Sequence, residues 1–142
     1  MKKRNIIIAV LVLAVVLTTA FFMHGEDGKT KDLWKDATYK QDATIGEGSK
    51  TLLIDVVAEG KKVTLTIKTD KETVGEALSE HKLIDGKRDN FGIYVKKVNG
   101  MVADYDKTQT FWAFNKDGEA MPTGVSEAQF SDGDHFELVC TK

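Results

Sequence analysis

Few side chains in this sequence stand in spacings that do chemistry. Nucleophilic catalysis needs an activated Ser, Cys or Lys beside a base. Ser126 and Ser131 lie in stretches that read as loops, and no G-x-S-x-G turn is present. The only cysteine, Cys140, falls in an alternating apolar run near the chain end, where it reads as a small buried hydrophobe. An exposed Cys140 in an oxidising compartment would instead link two chains. Metal binding needs clustered ligands, and His24, His81 and His135 are far apart with no ligand spacing. Asp132-Gly133-Asp134 holds two carboxylates of a calcium loop without the rest of it, and reads as a turn. Asp104 and Asp106 flank Tyr105, but nothing in the sequence brings further ligands to them. No glycine-rich loop opens a helix, so there is no phosphate cradle. We therefore expect no catalysis, no metal and no resident cofactor.

The aromatic residues are the remaining functional signal. Phe111, Trp112 and Phe114 lie in one predicted strand, so Phe111 and Ala113 face one way and Trp112 and Phe114 the other. One set belongs to the core. The other lies on an outer face beside Tyr94 and Tyr105, where it would stack on a flat ligand or a partner protein. Tyr94, Tyr105, Trp112 and Phe114 are the ligand-binding candidates, with Trp112 open between core and ligand-facing. Asn99 is expected to do no more than form a turn.

Hydrophobic periodicity supplies the elements that position these groups. Residues 51–58 form a β-branched and apolar run, and in 62–68 Val63, Leu65 and Ile67 alternate with Thr64, Thr66 and Lys68. With Glu59-Gly60-Lys61 between them, the two runs make a β-hairpin with one buried face. Thr73 stands three residues before Glu76, a capping-box spacing. Val74, Ala77, Leu78 and His81 then mark a helical stripe that ends before Asp85-Gly86. Gly75 weakens that helix, by about 1 kcal/mol relative to Ala, and is expected where the helix crosses the sheet closely. A polar loop over 87–90, a strand over 91–98, an Asn99-Gly100 turn and a short return over 101–105 follow. Residues 110–115 and 135–140 complete the strands, with turns at 116–118 and 131–134 and one helical turn over 125–130. The expected fold class is α+β: a β-grasp-like mixed sheet with one helix packed on it.

Ahead of this unit the sequence changes character twice. Ile6 to Met23 carries no charge and follows Lys2, Lys3 and Arg4. As a helix it reaches just under the roughly 30 Å hydrocarbon layer. Residues 1–24 are therefore expected to be an N-terminal transmembrane anchor, with a cleaved signal as the alternative, since Thr18-Thr19-Ala20 loosely matches a cleavage site. The basic start stays in the cytoplasm, which makes the protein single-pass in the cell membrane with its C-terminal domain extracytoplasmic, or secreted if the signal is cut. Residues 25–49 mix Gly with charges of alternating sign and read as a solvated polar linker, with Trp34 and Tyr39 expected to be exposed on it and docking on the domain or at the membrane surface as the alternative. The folded domain is expected over 50–142.

Composition agrees with this division. A chain of 142 residues that is 42% hydrophobic supports one ordinary domain and excludes a multidomain enzyme. One cysteine excludes an intrachain disulfide framework. The chain has 20 basic and 22 acidic residues, and three of the basic ones are Lys2, Lys3 and Arg4, so the rest is acidic. That argues against nucleic acid as a partner.

Several pieces of 50–142 resemble the transcobalamin-like C-terminal domain family. They are Phe91-Gly92-Ile93-Tyr94-Val95, Val98-Asn99-Gly100, Phe111-Trp112-Ala113-Phe114-Asn115, Gly118, Gly124 and Asp132-Gly133-Asp134, with Thr73-Val74 and Ala77-Leu78 upstream. The family's Asn-Gly turn after the aromatic strand is replaced here by Asp117-Gly118. The resemblance implies a β-grasp-like fold and an extracytoplasmic setting. In transcobalamins this domain covers one side of a corrinoid that a separate helical domain holds from the other, and this sequence contains no such helical domain. The resemblance therefore implies a membrane-tethered binding module that contacts a small ligand such as a corrinoid. The alternative is a surface module that contacts a protein partner and no small molecule.

Overall fold

The computed structural model describes residues 32–142. The expected anchor over 1–24 lies outside them. No helix among the described residues is long and apolar enough to cross a membrane.

A 3-10 turn spans Leu33–Asp36 and is followed by the strand β1, Ala43–Gly46. The predicted hairpin forms as β2, Lys50–Ala58, and β3, Lys61–Thr69. Its turn puts Glu59 at φ 53 and Gly60 at φ 76, the left-handed pair that a two-residue hairpin needs. Helix α1 covers Val74–Glu80 and begins with the predicted capping box. Glu76 N donates to the Thr73 hydroxyl at 3.1 Å, and Thr73 N donates to Glu76 Oε1 at 3.3 Å. β4, Ile84–Asp89, and β5, Gly92–Val98, form a second hairpin, to which the two-residue β6, Met101–Val102, is added. A single turn of helix, α2, runs Tyr105–Thr108. β7, Phe111–Lys116, turns back through β8, Glu119–Ala120, and the chain ends on β9, His135–Thr141.

The strands make two sheets. The larger has the order β1-β3-β2-β9-β7-β8 and the smaller β4-β5-β6. The larger sheet is mixed: β1 runs parallel to β3 and β9 parallel to β2, while the remaining pairs are antiparallel. The fold is α+β, mostly sheet with few helices, as the periodicity predicted. Leu52, Ile54 and Val56 of β2, with Val63, Leu65 and Ile67 of β3, bury the face expected of them. Phe136 and Leu138 continue it on β9. Leu78, Leu83, Ile84 and Val98 close over this face from α1 and the small sheet. Each of these side chains contributes about 1.5–3 kcal/mol by leaving water.

Five local expectations are overturned. The stretch 25–49 is not a tether throughout: from Leu33 it belongs to the compact unit, and β1 is a strand of the large sheet. Trp34, expected to be exposed, is 2% accessible, and its Nε1 donates to the Ala58 carbonyl at 2.9 Å. The expected polar loop over 87–90 lies mostly in β4, because pairing to β5 satisfies its backbone while its charged side chains stay in water. Residues 125–130 make a turn and an isolated bridge from Gln129 to Thr73 instead of a helical turn. Gly75 meets this loop and not the sheet: Gly75 N donates to Val125 O at 2.8 Å, and a Cβ there would stand 3.0 Å from Ser126 Cα.

Candidate functional site

The four aromatic candidates separate into two pairs. Trp112 is 7% accessible and stands opposite Cys140 in the β7–β9 ladder. Its Nε1 is buried without a hydrogen-bond partner. Phe114, on the same face of β7, stacks on the buried Phe136 with ring centroids 5.4 Å apart. Trp112 is interior packing, and Phe114 packs half-buried on the same face. Lys116 Nζ lies 5.3 Å from the Phe136 ring and 3.5 Å from Asp134 Oδ2, which closes that end of the core.

Tyr94 and Tyr105 are outside, at 52% and 54% accessibility. One lysine lies between Tyr94 and the residue that precedes Tyr105. Lys96 Nζ sits 5.9 Å from the Tyr94 ring centroid and 3.9 Å from Asp104 Oδ2. Asp104 is the N-cap of α2 and directly precedes Tyr105. The backbone fixes this arrangement, because Ala103 N donates to the Lys96 carbonyl at 2.8 Å. Phe91, at the turn between β4 and β5, and Val102 are also exposed. The result is an aromatic surface with a cation inside it, suited to stacking and to cation–π contact.

Asn99 has a role the sequence did not reveal. It occupies the left-handed position of the predicted turn at φ 53, yet it is wholly buried. Its Oδ1 accepts from Tyr39 N and its Nδ2 donates to Tyr39 O, both at 2.8 Å. Its backbone N donates to Leu83 O, and its backbone O accepts from Thr38 N. The only available signal was a turn asparagine followed by a glycine. Gly100 is required here by contact as well as by its φ of 86, since a Cβ would overlap the Asp36 carbonyl oxygen.

The remaining sequence candidates have structural partners. Ser126 Oγ accepts from Ile93 N at 3.1 Å, which ties the loop to β5. Asp132 Oδ1 accepts from Thr51 N, and Asp134 Oδ2 from Ser131 N, so the Asp-Gly-Asp turn delivers β9 to β2. His81 caps α1. His135 Nε2 meets Asp55 Oδ1 at 2.8 Å on the outward face of the large sheet. The buried Asp55 also accepts from the Thr64 hydroxyl at 2.7 Å and has Lys62 Nζ at 3.9 Å. Among the described residues no group of three His, Cys, Asp or Glu is placed to hold a metal ion. Burial pushes the Cys140 thiol up, a hydrogen bond with Thr110 opposes this, and the Glu59 charge adds to it.

A distinct groove of about 500 Å³ lies where the end of α1, the bulged start of β4 and the 3-10 turn meet. Asp36, Ser79, Lys82, Asp85, Arg88 and Lys97 are among its walls.

Comparison with protein-family models and with curated proteins finds no match. Among solved structures, the chain is similar to a "putative metal binding protein" from Ruminococcus gnavus. The identity is 29% and the TM-score 0.62, over 66% of this chain and 98% of that one. It also aligns with haptocorrin in complex with Cbi at 16% identity and a TM-score of 0.49, over 69% of this chain. That alignment spans 26% of haptocorrin.

Proposed function

We propose that this protein is a non-catalytic binding module, tethered to the membrane by its N-terminal segment, whose folded part is extracytoplasmic. The observation that carries the reading is the division of the aromatics. Trp112 is consumed by the core and the half-buried Phe114 by stacking on Phe136, whereas Tyr94 and Tyr105 stay exposed, Tyr94 beside Lys96 and Tyr105 next to Asp104 in the chain. Keeping large aromatic surface exposed forgoes burial energy, and such patches mark contact sites.

The ligand we favour is a flat organic molecule such as a corrinoid, which the family resemblance implies. The β-grasp reading of the fold supports that resemblance, through a hairpin, a crossing helix and a last strand parallel to the first strand of the hairpin. An open one-sided face binds weakly, because nothing clamps the ligand or excludes water. Difference spectra of the full chain with cobalamin and cobinamide test this. Saturable spectral change, reduced in Tyr94→Ala and Tyr105→Ala, supports the reading. No spectral change together with no thermal shift removes the corrinoid.

The second reading is a surface module that contacts a protein. It is favoured by the outward position of Phe91, which is 85% exposed at the turn that leads into β5. The name of the Ruminococcus gnavus protein raises a metal instead. The described residues offer Asp55 and His135 for it, a pair where a closed site needs about four ligands. The tether itself is tested by intact mass of the chain recovered from membranes and by protease accessibility from outside the cell.

A further inference from the structure

We infer that the groove between α1, β4 and the 3-10 turn binds a small organic anion bearing phosphate or carboxylate groups. Its walls include neither Tyr94 nor Tyr105. Asp85 and Lys97 stand opposite each other across β4 and β5, Arg88 lies three residues further along β4, and all three line the groove. Lys96 does not line this groove, although Asp85 and Lys97 also wall a neighbouring concavity that it does line. A volume of about 500 Å³ falls within the range of small-molecule sites.

Three observations set the charge of the ligand. First, Lys82, Arg88 and Lys97 all line the groove, and none of them forms an ion pair among the described residues. Arg88 is held instead by a neutral partner, donating to Ser79 Oγ at 3.3 Å. Second, Lys82 stands where glycine is the usual choice. Lys82 N donates to Ser79 O and Leu83 N to Leu78 O, a helix-ending pattern whose left-handed residue is Lys82 at φ 57. A lysine there carries backbone strain that glycine would not, and puts an ammonium at the groove wall. Third, the walls are shaped by irregular backbone: the bulge between Asp85 and Gly86, and the close approach of Gly100 to Asp36. Bulges are frequent beside binding sites. Asp36 and Asp85 leave the cations in a majority of three to two, which favours an anion over a cation.

The test is a calorimetric and NMR titration of the full chain with inorganic phosphate and, separately, with citrate, at ionic strength held constant with sodium chloride. We expect saturable binding of at least one anion, and which one binds identifies the chemistry. Lys97→Glu should weaken it about tenfold or more. Lys82→Gly should weaken it while leaving the melting temperature unchanged or higher, which separates binding from folding. Asp36→Asn should tighten it, and Lys71→Glu, at an exposed position away from the groove, should leave it unchanged. The proposal is overturned if neither anion gives saturable binding, if Lys71→Glu weakens binding as much as Lys97→Glu, or if Asp36→Asn weakens it.

Discussion

Asn99 and Tyr39, sixty positions apart in sequence, exchange two hydrogen bonds of 2.8 Å in which the asparagine side chain pairs with a backbone as a neighbouring strand would. With Thr38 N on Asn99 O, three bonds join the segment before β1 to the turn after β5. The amide is suited to this because it carries both a donor and an acceptor. A carboxylate has only acceptors at neutral pH.

Replacing Asn99 by Ala or Asp should therefore cost about 2–4 kcal/mol, from unpaired polar groups on Tyr39 and loss of the residue best tolerated at positive φ. Urea unfolding measures the cost, and hydrogen exchange should report lost protection at Thr38 and Tyr39 first. A change below about 0.5 kcal/mol in both variants contradicts the account.

Trp34→Ala should lower stability by about 3–5 kcal/mol, the usual cost of removing a buried large aromatic. The side chain also gives a hydrogen bond to Ala58 O and has Lys61 Nζ 4.9 Å from its ring. Truncating the chain just before Ala43 should cost at least as much. If either change is silent in denaturant unfolding, the segment is not part of the core.

Trp112 and Tyr94 should behave in opposite ways. Trp112→Ala should destabilise by about 3–5 kcal/mol. Trp112→Phe should cost much less, because it also removes a buried donor that has no partner. Tyr94→Ala and Tyr105→Ala should leave the melting temperature close to that of the parent and act only on binding. Equal destabilisation by Tyr94→Ala would transfer that residue to the core.

Cys140 should alkylate slowly at neutral pH and rapidly once the chain is unfolded. Burial favours the neutral thiol over the thiolate. Because the folded value is raised, the linked stabilisation is present below the pKa of the unfolded thiol and is lost as pH rises through the folded one. Asp70 carries the reverse sign. Its carboxyl is held below the usual range by hydrogen bonds from Ser49 N and Ser49 Oγ, both 2.8 Å, with Lys50 nearby. Its contribution is present above the pKa of the unfolded carboxyl and fades as pH falls through the folded one. Labelling kinetics with an alkylating reagent against pH, with and without urea, check the thiol.

Gly100→Ala should destabilise strongly, since the new methyl would overlap the Asp36 carbonyl and the residue sits at positive φ. Gly118→Ala is the matched control, with positive φ but open space around it. Thermal melts of the two should differ, with Gly100→Ala the lower; if they coincide, the close approach contributes nothing.

Alternation and capping were local signals, so the sequence alone determined β2, β3, α1, β5, β7 and β9, and the apolar face of β3, α1 and β9. A period of two or 3.6 is written into consecutive side chains and needs no distant partner. The same logic fixed the turns at 59–60 and 99–100, where left-handed backbone demands particular residues. What tertiary structure decided was everything that depends on a partner far along the chain. Residues 33–46 are polar enough to read as a tether, and they fold because Ala58, Asn99 and β3 offer bonds to them. β4 is mostly charged and is a strand because β5 lies beside it. Which aromatics are core and which remain in water was likewise undecided until β7 had packed against β9, because alternation separates two faces without saying which of them the rest of the protein will cover.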